Sequence, residues 1–141
     1  MIVADTGAIL ALLDADDRHH DVLRALFEER PARWVLPWAI LPEVDYLAQS
    51  QLGPRVEEAF LGDVAAGHFR IEWGTEADLD RAHAICTRHR ALKLGLVDAV
   101  VIAVAERRRA EAIATLDLRH FSAVRIAGAP KLYPRDLGDP R

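Results

Sequence analysis

The sequence contains a single cysteine, Cys86, which excludes an internal disulfide framework. In a stretch of helical character, Cys86 is expected to be a small buried side chain and not a redox centre. No paired Cys/His framework is present, which argues against structural zinc. No apolar run reaches the roughly 18 residues that a bilayer span needs, and the opening Met-Ile-Val-Ala-Asp lacks the basic region of a secretory signal. A cytoplasmic protein with no membrane partner is therefore expected. Nor is there a basic excess: 18 Lys and Arg face 22 Asp and Glu, a net charge of -4. The chain as a whole is not built to hold nucleic acid by charge alone. Internal repeats, low-complexity tracts and linkers are also missing.

What remains is 141 residues, 51% of them hydrophobic, enough for one buried core and too few for two ordinary domains. A single domain over residues 1–141 is expected, with the Pro-containing tail after about residue 131 fraying. Short apolar runs rich in branched residues alternate with stretches of helical period, the pattern of an α/β fold with a central, mostly parallel sheet. The expected strands are Ile2 to Ala4, Trp34 to Leu36, Phe69 to Glu72, Ala112 to Leu116 and Val124 to Ile126. Val22, Leu23, Leu26 and Phe27 form one apolar stripe on a helix after Asp17. Gly53-Pro54 opens another helix, and Thr75 with Asp78 resembles a capping arrangement for a third. Periodicity alone leaves Ala99 to Ala105 open between strand and helix. The following Glu-Arg-Arg-Arg and the next apolar run favour a helical crossover to a strand.

Asp5 ends the first expected strand and Asp117 the fourth, so both should project at the carboxyl edge of the sheet, where open α/β folds place their ligand crevice. Glu43 follows the second strand in Leu-Pro-Glu-Val-Asp, and Asp98 lies in the otherwise apolar Leu-Gly-Leu-Val-Asp-Ala-Val-Val. Two such acids about 4 Å apart repel by roughly 4 kcal/mol at an effective dielectric of 20, a conflict that protonation or a cation resolves. Oxygen ligands of this kind suit magnesium or manganese.

Val-Ala-Asp5-Thr6-Gly7, Pro-Glu43-Val-Asp-Tyr-Leu, Gly-Leu-Val-Asp98-Ala and Ala-Thr115-Leu-Asp117-Leu-Arg-His-Phe121 resemble, in order and spacing, the successive motifs of PIN-domain ribonucleases. Within that family they look like the VapC toxins of VapBC toxin-antitoxin pairs. Each motif is weak alone; together they span nearly the whole chain. The resemblance implies an α/β/α sandwich, a metal-dependent endoribonuclease that inhibits translation and growth, and Mg2+ or Mn2+ as cofactor. It implies Asp5, Glu43, Asp98 and Asp117 as the catalytic, metal-binding carboxylates, with Thr6 and Thr115 as polar supports. It further implies an RNA substrate, a cognate VapB-type antitoxin and a homodimer. Arg119 and His120 are candidate RNA contacts, and His120 is also a candidate general base. Two other readings stand beside it: a non-catalytic PIN-fold module that binds RNA or protein, and a structure-selective DNA nuclease.

Structural alternatives exist for each acid. Asp5-Thr6 suits a helix cap, Asp117 a turn, Glu43 a solvated first turn and Asp98 a helix N-cap. Asp45, two positions beyond Glu43, reads as solvated or structural. Asp5-Thr6-Gly7 also matches the short aspartic-protease signature, but no second copy occurs and the pattern is not β-rich. His83, Cys86 and His89 drift around a helix and do not converge easily on a metal. His19 and His20 are expected to face solvent, and Trp34, Trp38 and Trp73 to anchor core or interface and not stack on bases. The basic clusters Arg88, His89, Arg90, Lys93 and Arg107, Arg108, Arg109 suit either RNA contact or a solvated helix face.

Overall fold

Five short strands, β1 (Ile2–Ala4), β2 (Trp34–Pro37), β3 (Arg70–Glu72), β4 (Ala112–Ala114) and β5 (Lys131–Tyr133), form one parallel sheet in the order β3-β2-β1-β4-β5. The protein is described by a computed structural model over residues 1–138. β1, β2 and β4 are buried at every residue, which is why they read as continuous apolar runs and not as alternating ones. Among the described residues seven α-helices flank the sheet: α1 (Thr6–Leu13), α2 (His20–Glu29), α3 (Leu41–Leu52), α4 (Pro54–Ala65), α5 (Glu76–Arg88), α6 (Leu96–Arg107) and α7 (Leu118–Ala123). The result is an α/β/α sandwich.

The ambiguous apolar segment is helical. In α6 Ala99 and Val101 through Ala105 are all buried, so the helix is apolar around most of its circumference and shows little of the one-sided stripe that periodicity detects. The Thr75 capping box is complete: the Thr75 hydroxyl accepts from the Asp78 amide, and the Asp78 carboxylate accepts from the Thr75 amide. Between α3 and α4, Gly53 adopts φ 95°, a left-handed geometry that glycine takes without strain, and Pro54 starts the next helix.

Two sequence expectations need correction. Val124 to Ile126 is not a strand: Val124 and Ile126 are buried while Arg125 is exposed, so the alternation is real, but these side chains plug the core without joining the ladder. The edge of β4 is taken by Lys131–Tyr133, within the segment expected to fray; the end of that tail, residues 139–141, lies outside the described residues. The fourth strand also stops at Ala114, leaving Thr115 and Leu116 as a bridge to α7. Smaller differences concern Cys86, half-buried and not fully so, and His20, whose Nδ1 lies 2.9 Å from the Ala11 carbonyl and not in open solvent. Trp34 is core, whereas Trp38 and Trp73 are exposed.

The strand order has one consequence for function. From β1 the chain winds outward through β2 to β3, then crosses back to β4 and β5 on the other side. The reversal falls between β1 and β4, and a doubly wound sheet opens its crevice beyond the carboxyl ends of the strands that flank such a point. No helix among the described residues is long and apolar enough to cross a membrane.

Candidate active site

Asp5 leaves β1 directly, and Thr115 and Asp117 follow β4, so the switch point gathers them by topology alone. Asp98 joins them from the first turn of α6, and Glu43 from the first turn of α3. The four acids and Thr6 line one cavity of about 350 Å³, with Leu10, Leu47 and Leu116 as apolar wall. A larger cavity of about 580 Å³ lies elsewhere, but both its acids are engaged, Glu106 with Arg81 and Glu111 with Arg33 and the terminal amine. It assembles no free carboxylates.

Thr115 is the internal strut. Its hydroxyl donates to Asp5 Oδ2 at 2.9 Å and accepts from the Asp117 amide at 3.0 Å, so one buried side chain ties the end of β1 to the start of α7. Asp117 then caps α7 by accepting from the His120 amide at 3.2 Å. The capping reading of Asp117 is therefore observed, but one oxygen serves the cap while the other meets His120 Nδ1 at 2.9 Å. That same Nδ1 lies 3.1 Å from Asp98 Oδ2. Asp98, Asp117 and His120 each offer a ligand atom within 4.8 Å of the others.

Asp5 and Asp98 do not behave as caps. Asp5 occupies the N-cap position of α1 without a side-chain capping bond, and the N-cap of α6 is Gly95. Asp5 is only 5% exposed, and its carboxyl is pushed up to about 7, first by burial and then by the charges of Asp98 and Asp117, against the opposing Thr115 bond. Burial and the charges of Asp117 and Glu43 also raise Asp98, with His120 pulling the other way. Among the described residues no Lys or Arg pairs with any of the four acids. The Thr6 hydroxyl is buried beside them with no hydrogen-bond partner.

A surplus of carboxylate oxygen, two acids held above their ordinary range and an orphaned hydroxyl fit a hard divalent cation, which favours all-oxygen coordination. The residues present suit such a group on chemistry that is independent of any resemblance.

The structure brings together every acid that the sequence singled out, and adds His120, which sequence left unresolved. The signal was its position three residues beyond Asp117 on a helix, where side chains share a face. Arg119 is exposed and, among the described residues, forms no ion pair with any of the acids. Asp45 turns instead to α4, where its nearness raises the Glu57 carboxyl. His83, Cys86 and His89 form no metal-holding group among the described residues.

Residues 2–127 match the PIN domain family. A curated relative, Ribonuclease VapC26 of Mycobacterium tuberculosis, is 32% identical over 127 residues, spanning 90% of this chain and 94% of the relative. Among solved structures, the sarcin-ricin-loop-cleaving toxin VapC20 of M. tuberculosis superposes with a TM-score of 0.79 at 24% identity, covering 92% of this chain and 99% of that one. DNA-bound VapBC from Salmonella typhimurium gives 0.68 at 20% identity, covering 93% and 95%.

Proposed function

Because the chain belongs to the PIN domain family, we propose that it is a VapC-type endoribonuclease toxin whose switch-point carboxylates hold Mg2+ or Mn2+ and hydrolyse RNA. The single observation that carries this reading is the convergence of buried Asp5, half-buried Asp98 and Asp117 and exposed Glu43 on one cleft without a Lys or Arg partner. Cleavage adds water to phosphorus, breaks one P–O bond and returns a proton to the departing oxygen. When bound, the cation supplies the positive charge that these steps lack and eases ionisation of the attacking water.

The chain's own part is placement. Thr115 fixes which oxygen of Asp5 faces the cleft, because Oδ2 is committed to the hydroxyl. His120 stands between Asp98 and Asp117, holding two like charges at a set separation. Thr6 contributes a buried hydroxyl that is free to meet a ligand. Leu10, Leu47 and Leu116 restrict water on one side and so strengthen the electrostatics of the cleft.

We further propose that the protein works with a VapB-type antitoxin, as in the VapBC assembly, and as a homodimer in the cytoplasm, where its action on RNA arrests translation and growth. Expression of the wild type should arrest growth, and co-expression of a small antitoxin encoded beside it should restore growth. Asp5→Asn or Asp98→Asn should remove the arrest, since each deletes a formal negative ligand; full toxicity in either variant contradicts the assignment. Matched RNA and DNA oligonucleotides separate the ribonuclease reading from a DNA nuclease, with preference for DNA overturning the former.

A further inference from the structure

Two basic clusters stand out in the sequence, and the structure pairs their arginines differently. Arg107 and Arg108 are neutralised by Asp78 and Glu72. Arg88 and His89, by contrast, come together with Arg81 and Arg125 around a separate cavity of about 310 Å³, whose wall includes Ile85 and Val124. Arg81 is held in place there by two bonds from its guanidinium to Glu106. Arg88, His89 and Arg125 have no acidic partner among the described residues. In a chain of net charge -4, this concentrates positive charge against a partly apolar wall, which focuses the field on an incoming anion.

Two elements connect this cavity to the acidic cleft. The Asp78–Arg107 and Arg81–Glu106 pairs show that α5 and α6 run antiparallel, so the carboxyl end of α5, with Arg88, lies level with the first turn of α6, with Asp98. Likewise α7 is capped by Asp117 at its start and ends at Ala123, which lines the basic cavity; its six residues span about 9 Å. A short length of single strand can reach from one to the other.

We propose that Arg88, His89 and Arg125, with Arg81, form a phosphate-binding subsite that grips the RNA backbone next to the scissile bond. The inference rests on the ribonuclease reading for its ligand. Guanidinium forks match phosphate geometry, and the small cavity suits one phosphate-ribose unit better than a protein segment. Such contacts are blind to base sequence, so they position the strand without choosing the target.

The test is binding of a short fluorescent single-stranded RNA of mixed sequence, in EDTA to prevent cleavage, across a salt series. The proteins compared are the wild type, Arg88→Gln, Arg125→Gln, the double variant, and Arg24→Gln as a control. Arg24 is exposed on α2 and pairs with Glu28, so its replacement changes net charge equally without touching the cavity. Each single cavity variant should weaken binding several-fold and lower the slope of log K against log salt by roughly 0.7 to 1, with about twice that for the double variant. Arg125→Lys should keep most of the slope, which a merely structural role for the side chain does not predict. Cavity variants that track Arg24→Gln overturn the subsite. So does absence of wild-type binding at low salt, or a loss confined to antitoxin affinity. Cleavage by the wild type, assayed in parallel with Mg2+ and Mn2+, separates the two readings: cleavage with an unchanged salt slope removes the subsite alone, and slope-dependent binding without cleavage removes the nuclease alone.

Discussion

Asp5 concentrates the conflict on which the site is built. A carboxyl that is 5% exposed and held up to about pH 7 costs the metal-free fold stability whenever it ionises. The sign follows from linkage. The folded value lies above the unfolded 3.8, so the penalty is absent at low pH, develops from about pH 4 and is complete above about 7. Asp5→Asn, which keeps the shape and removes the charge, should raise the melting temperature in EDTA at pH 8 by on the order of 5 °C and change it little at pH 4. Equal shifts at both pH values would sink this account of Asp5. The same variant should lose RNA cleavage by on the order of 100-fold or more, since several kcal/mol of electrostatic stabilisation depend on the bound cation. Thr115→Val should cost about 1 kcal/mol of stability through the lost hydrogen bond and also slow cleavage, with Thr115→Ser restoring both; denaturant melts and initial rates measure the two. Asp5, Glu43, Asp98 and Asp117 were legible in the sequence because an acid among apolar neighbours at a strand end or helix start is conspicuous. Thr115 was expected as a polar support and His120 as a candidate RNA contact or base, but their partners were not legible, since these depend on which atoms meet across the gap between β1, β4 and α6.

Helices α5 and α6 carry the strongest ionic network among the elements, and it links them to β3. Arg107 reaches Asp78 at 2.7 Å and Glu72 at 2.8 Å, and Arg108 also binds Glu72. Asp78 is nearly buried and has a capping duty, so it is left uncompensated when its cation is removed. Arg107→Ala should therefore destabilise the fold by about 2 kcal/mol, a value discounted from the buried-pair range because Arg107 is a third exposed. Urea unfolding checks this; a change within experimental error would show the network to be ornamental. At this scale the sequence was informative wherever caps and turns punctuate it, at Gly53-Pro54 and Thr75. It misled at Val124 to Ile126, where burial has period two without a ladder, because alternation reports which side chains face the core and not which backbone groups are paired. It was silent on β5, whose Lys131, Leu132 and Tyr133 gain their identity as a strand only from the open edge of β4.

For the whole molecule these terms set opposite flanks of a pH profile. Glu72 and Glu106 feel burial, which raises them, but hydrogen bonds from arginine and backbone amides outweigh it and hold both below the ordinary range; the Arg135 bond does the same for Asp136. Their stabilisation is present above the unfolded carboxylate values and is lost as the pH falls through the lowered ones. Asp5 acts on the other flank. The metal-free protein should be most stable near about pH 5 and soften toward pH 8. Mg2+ or Mn2+ should recover the loss at pH 8 and do little at pH 5, where a proton already occupies Asp5. A metal-induced rise in melting temperature of equal size at both pH values would place the cation elsewhere. Charge has the same two-sided character in a net -4 chain: carboxylates converge on one cleft, and basic groups gather around a separate cavity. The central claim is that the converged carboxylates cut RNA with a divalent cation. Its most direct test is incubation of purified, antitoxin-free protein with total cellular RNA in Mg2+ or Mn2+, with EDTA and Asp98→Asn as controls. Discrete fragments that vanish in both controls are the predicted result; fragments that persist in either control, or none from folded, metal-loaded protein, would contradict it.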